Sequence, residues 1–159
     1  MNKKGFTLME LLAAIAILAV LAIIAIPNAM RLYNENAIKV MKVQETEIVE
    51  STNIYINDYC GKNAISESYR GICNNERKNV ESGSTETNRK VYFCIKNIIS
   101  KDYVKDVHFR SEPCNGIIVY DFNETYNTYS NGKTYFYCQN DSYHTEGYND
   151  YSSLIESCP

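Results

Sequence analysis

The sequence predicts an α+β protein: a long N-terminal helical spine packed on a small antiparallel β-sheet head that disulfides tie together. Three observations predict it. Residues 11–26 contain no polar side chain, and beyond Pro27 apolar residues recur mostly at three- and four-residue steps. Residues 60–159 then hold short runs rich in β-branched and aromatic side chains, together with all six cysteines. Three- and four-residue spacing belongs to one face of a helix, and β-branched or aromatic runs between turn residues fit strands.

The first element is the apolar run. Residues 6–26 amount to 21 residues, about 31 Å of helix, which matches the hydrocarbon thickness of a bilayer. Lys3 and Lys4 stand in front of it. Positive charge there holds the N-terminus in the cytoplasm and sends the rest of the chain outward. A cleaved secretory signal would share the basic start and apolar middle, but the run is longer than such a core and lacks a clear small-residue exit. A plain membrane anchor accounts for the length. Neither reading accounts for Glu10, because a carboxylate beside lipid tails is costly and needs a partner. A carboxylate this close to the helix start also has the option of snorkelling to the headgroups.

The octet Lys3-Lys4-Gly5-Phe6-Thr7-Leu8-Met9-Glu10 resembles the class III signal of type IV prepilins and the related pseudopilins. That signal is a short basic leader ending in glycine, then phenylalanine, Thr-Leu, a variable apolar residue and glutamate. The resemblance covers about 25 residues and implies the following. A prepilin peptidase cuts between Gly5 and Phe6 on the cytoplasmic side and methylates the new amine of Phe6. The apolar helix, opening with Thr7 and Leu8, stays as the membrane anchor and later becomes the packing surface of a filament. Glu10 pairs with the N-terminal amine of a neighbouring subunit, a buried pair that sets axial register. The implied partners are further pilin subunits, the peptidase, and an inner-membrane assembly platform with its ATPase machinery. The implied route runs from a single-pass precursor in the cytoplasmic membrane, head outside, to an extracellular filament or a cell-envelope pseudopilus.

Residues 27–59 continue the helix. Pro27 removes one backbone hydrogen bond and clashes with the preceding turn, so a kink is expected there; in type IV pilins a proline at the matching position marks such a bend. Met30, Tyr33, Ala37, Met41, Ile48, Thr52, Tyr55 and Tyr59 form one stripe with Gln44 in its gap, while Glu35, Lys39, Lys42, Glu45, Glu47 and Glu50 lie mainly off it. That pattern predicts one face packed on a domain. The expected organisation is therefore a leader, 1–5; a helix, 6–59, with 6–26 in the membrane or filament core and 27–59 amphipathic; and a head, 60–159.

Within the head, residues 60–88 turn polar and glycine-spotted and read as an irregular connection with room for a short helix. Residues 89–103 read as a helix, with Val91, Cys94, Ile95, Ile98 and Ile99 on one side. Residues 106–110, 117–122 and 133–138 read as strands. Asn131-Gly132 reads as a type I′ hairpin turn between 126–130 and 133–137. The polar, tyrosine-rich tail 140–159 is expected to be pinned to the sheet by Cys158.

Cys60, Cys73, Cys94, Cys114, Cys138 and Cys158 all follow the membrane-directing segment, which favours a disulfide framework in an oxidising compartment. Their spacing lacks the close pairs of a zinc site. Connectivity stays open at this level. No metal or other cofactor is implied. Asn140, Asp141, Glu146, Asn149 and Asp150 carry calcium-type oxygens but lack the ordered spacing of a calcium loop. Asn123 and Asn140 each head a glycosylation sequon.

The remaining chemistry points away from catalysis. His108 and His144 are far apart in sequence without triad partners, and no phosphate loop occurs. The formal charge of −3 gives no bulk attraction to nucleic acid. Fourteen tyrosines without a tryptophan fit either strand propensity and a small core or a contact surface. The expected function is a structural, non-enzymatic subunit of a type IV pilus or pilus-like filament. The alternatives are a pseudopilin of a type II secretion or competence system, or a minor or tip pilin whose head binds a surface ligand or DNA.

Overall fold

The computed structural model describes residues 7–61 and 66–158. The chain divides into two compact units, Met1–Val40 and Met41–Pro159, each described by itself. Helix α1 (Leu8–Tyr55) begins in the first and ends in the second.

In the first unit residues 11–26 of the helix carry apolar side chains around the whole circumference, and they are exposed: Leu18 is 63% and Ile23 73% accessible. A helix apolar on all sides is one whose surroundings, membrane or other helices, supply the apolar contacts. The helix runs through Pro27. Proline has no amide hydrogen to give the Ile23 carbonyl; one residue on, the side-chain amide of Asn28 donates to the Ile24 carbonyl at 3.1 Å. Met30 and Tyr33, expected on the packing stripe, are 64% and 62% exposed.

In the second unit the stripe is buried through Met41, Ile48, Thr52 and Tyr55. The carboxamide oxygen of Gln44 lies in the gap without a hydrogen-bond partner among the described residues. A π-helical turn (Ile56–Cys60) follows. Helix α2 (Glu67–Glu76) starts at Ser66, whose hydroxyl accepts from the Tyr69 amide, an ordinary N-cap.

The sheet has five strands: β1 (Lys78–Asn79), β2 (Asn88–Cys94), β3 (His108–Phe109), β4 (Glu112–Asn123) and β5 (Thr128–Cys138). β1 pairs with β2, β2 with β4, and β4 with both β3 and β5, all antiparallel. Helix α3 (Ile95–Ile99) follows β2, and two 3-10 turns (Gln139–Asp141 and Tyr148–Tyr151) and α4 (Ser152–Glu156) follow β5.

Side chains alternate across a strand, and here both faces are covered. On one face Phe93 meets Tyr55 edge-on at 6.0 Å, and the Tyr120 hydroxyl donates to the Asn53 side chain of α1 at 3.0 Å. On the other, Tyr92, Cys94, Ile117 and Val119 pack with Ile155 and Cys158 of the tail. This two-sided burial corrects the helix expected over 89–103. Its first part is β2, where Val91, Tyr92, Phe93 and Cys94 are buried in succession. Such a run lacks the alternation that marks a half-exposed strand, so it cannot be told from a helical cluster by periodicity.

The Asn131-Gly132 hairpin is corrected too. Both residues lie inside β5, where the register shifts between Val119 and Asp121 of β4. Asn131 takes φ 54°, and the extra residue makes a β-bulge rather than a turn. The actual turn is at 124–127. There the Asn123 side chain accepts from the Tyr126 amide at 2.9 Å, and Asn127 supplies φ 50°. The strand expected over 106–110 shrinks to β3 because Arg110 and Ser111 both adopt positive φ, which breaks the ladder.

The cysteines pair as Cys60–Cys73, Cys94–Cys158 and Cys114–Cys138. The second ties the tail to the end of β2. The third links directly opposed residues of β4 and β5.

Candidate functional site: the N-terminal helix start

Thr7 is the N-cap of α1, because its carbonyl accepts the first helical bond, from the Leu11 amide at 3.2 Å. Its hydroxyl accepts from the Glu10 amide at 3.3 Å. In return, Oε2 of Glu10 accepts from the Thr7 amide and the Thr7 hydroxyl, each at 2.9 Å. This is a reciprocal capping box, which satisfies donors that a helix start otherwise leaves open. It also sets a carboxylate against the positive end of the helix dipole. One oxygen does all of this work. A carboxylate has about four acceptor positions, so Glu10 keeps capacity for a further donor.

The helix that follows is long and apolar enough to cross a membrane, and none of its most apolar stretch is buried. Residues 1–26 match the family model of the prokaryotic N-terminal methylation motif. The chain carries a class III signal. That signal is typical of type IV pilins and pseudopilins and supports a precursor of that kind. The motif's family is structural rather than enzymatic, and it implies pilin-type processing and assembly with other pilin subunits. The apolar helix together with the signal is consistent with membrane anchoring before assembly. No curated protein and no solved structure matches the chain. Lys3, Lys4, Gly5 and Phe6, which carry the orientation and cleavage readings, lie outside the described residues.

Elsewhere, among the described residues, the two histidines are not brought together. His108 Nδ1 lies 3.2 Å from the Asp106 carbonyl, and His144 has the Tyr148 ring as its neighbour at 6.1 Å; the two histidines form no common constellation. Among the described residues no group of three or more His, Cys, Asp and Glu side chains is placed to hold a metal. Many of the tyrosines serve packing. Tyr59 stacks between Tyr55 at 4.7 Å and Tyr69 at 4.4 Å. The Tyr55 hydroxyl donates to Glu76, which also pairs with Lys101 at 3.0 Å. The Tyr103 hydroxyl donates to Asp58 at 2.6 Å. Burial first, then these carboxylates, push the Tyr55 and Tyr103 phenols well above their ordinary range.

Two features escaped sequence reasoning. The capping box was available in it, since Thr7-x-x-Glu10 before an apolar run is its signature. The cluster of Arg77, Arg89 and Glu124 around Phe122 was not, because the C-cap of α2, β2 and the 124–127 turn contribute one part each.

Proposed function

We propose that this chain is a structural subunit of a type IV pilus or pilus-like filament. It is cleaved between Gly5 and Phe6 by a prepilin peptidase, N-methylated on Phe6, and assembled through its apolar helix. The observation that carries the reading is a carboxylate held at the start of a helix whose residues 11–26 are all apolar, inside the methylation motif. In the membrane the capping box gives Glu10 neutral donors of its own chain. On assembly the unused oxygen accepts the amine of a neighbouring subunit, and the added opposite charge offsets the desolvation of the carboxylate. Because that amine belongs to another chain, the pair fixes axial register. Residues 1–5 are the leader, 6–59 the helix with Pro27 as its bend, and 60–159 the head displayed by the filament.

A minor or tip position is the second reading, favoured by the three disulfides, one of which ties α2 to the π-helical turn through Cys60–Cys73 and makes a specialised head. A pseudopilin of a secretion or competence system shares the N-terminal features. Immunogold labelling of isolated filaments separates these outcomes. Label along the shaft is the expected result; label at the tip alone selects the minor subunit, and no labelled surface filament selects the pseudopilin.

A further inference from the structure

A small recess of about 220 Å³ opens between α2 and the β4–β5 turn, lined by Arg70, Asn74, Arg77, Phe122, Glu124 and Asn127 beside the Cys60–Cys73 disulfide. Its charge balance is unusual for a chain of net charge −3. Arg70 and Arg77 line it against one carboxylate, Glu124. That carboxylate is bonded to a third guanidinium, Arg89, at 2.6 Å. Arg89 also holds Asn79 and the Glu86 carbonyl, at 3.0 and 2.8 Å, so Glu124 is fixed on its far side. Bonding to Arg89 keeps the Glu124 carboxyl below the usual carboxylate range, with Arg77 adding a smaller push in the same direction.

Arg77 is the informative group. Its guanidinium lies 4.4 Å from the Phe122 ring centroid and is part-buried. Its two bonded partners are neutral oxygens, the Tyr129 hydroxyl at 2.8 Å and the Asn74 side chain at 3.3 Å. It forms no ion pair among the described residues. A guanidinium cannot shed its proton to escape desolvation, so a partly desolvated one without a bonded counter-charge favours an incoming anion. The walls are already ordered. The Arg77 amide is bonded to the Cys73 carbonyl at 2.8 Å, and the Asn127 side-chain amide donates to the Cys60 carbonyl at 2.8 Å. Little ordering cost remains for a ligand.

We infer that this recess binds an oxyanion group, with the Arg77 fork as its main donor and Arg70 and the Asn74 and Asn127 amides around it. Planar guanidinium donors match the oxygens of phosphate, sulfate or carboxylate in pairs. The volume is below the range of drug-sized ligand pockets, so it admits one headgroup, as of an anionic polymer or surface, rather than a whole metabolite. The site lies wholly in the head and does not depend on the assembly reading.

The test is calorimetric titration of the full, disulfide-intact chain in neutral detergent at low salt, with inorganic phosphate, inorganic sulfate and acetate in separate arms. Saturable one-to-one binding is expected for at least one of them, and the arms show which oxyanion geometry is preferred. Arg77→Gln should weaken it about tenfold or more, the scale of a lost charge-assisted pair. Arg70→Gln, at an exposed position, should weaken it too and decides the matter if Arg77→Gln melts early by circular dichroism. Lys90→Gln, in the separate groove walled by Glu81 and Glu86, should leave it unchanged. Absence of saturable binding in all three arms, or affinities that neither arginine substitution lowers, overturns the inference.

Discussion

Glu10 has two duties that its chemistry keeps separable. As the N3 residue of a capping box it needs only an acceptor oxygen, which a glutamine also provides. As a counter-charge it needs the full negative charge. Glu10→Gln should therefore leave the helix start intact by circular dichroism yet lower incorporation into filaments nearly as far as Glu10→Leu, measured by immunoblot of sheared filaments. Normal incorporation of the glutamine variant would reduce Glu10 to a cap and sink its register role. The identity and spacing of this residue were fully legible in the sequence, because a carboxylate at the head of an apolar run has few explanations. Its bond to Thr7 was legible as well, through the spacing alone.

At the scale of elements, the bulge in β5 links the sheet to α1. Gly132 sits where a Cβ would come within 2.5 Å of Tyr120 Cε1, and Tyr120 in turn bonds Asn53 at 3.0 Å. Gly132→Ala should displace that ring and cost about 1–3 kcal/mol, the usual scale of overpacking, read as a lowered melting midpoint. An unchanged midpoint would mean the bulge yields freely. This same glycine shows why parts of the fold resisted sequence reading. Asn-Gly is a strong local turn signal, but the ladder of β4 against β5 extends past it on both sides, and long-range pairing overrides local preference. β2 failed for the complementary reason: with α1 on one face and the tail on the other, its pattern carries no alternation. Helix α1 was legible through its unbroken apolar run and the three- and four-residue steps beyond Pro27, and the strand signals of β4 and β5 because β-branched and aromatic residues cluster there. The disulfide pairing was not legible, since it depends on which strands meet.

For the molecule as a whole, the tyrosine-rich head makes a prediction about alkali. Burial first, and then neighbouring groups, push Tyr135 and Tyr143 up to about 12; for Tyr143 the neighbour is Glu45, which accepts from its hydroxyl at 2.9 Å. A phenol in the unfolded chain ionises near its ordinary value of about 10. The folded state thus binds more protons across this window, and stability falls as pH rises. It is fully present below about pH 10 and is lost as pH approaches about 12. Denaturant melts across this range should show the decline, and Tyr143→Phe should make it shallower. A flat profile would mean these phenols ionise freely in the folded head.

Processing and assembly of this chain both turn on the fate of its first residues. The direct measurement is the intact mass of the chain recovered from sheared surface filaments, compared with the chain in the membrane fraction. The expected result is a filament form that begins at Phe6 and carries one added methyl group, beside a membrane pool that still includes unprocessed precursor. A chain found only in membranes with Met1 through Gly5 still attached would contradict it.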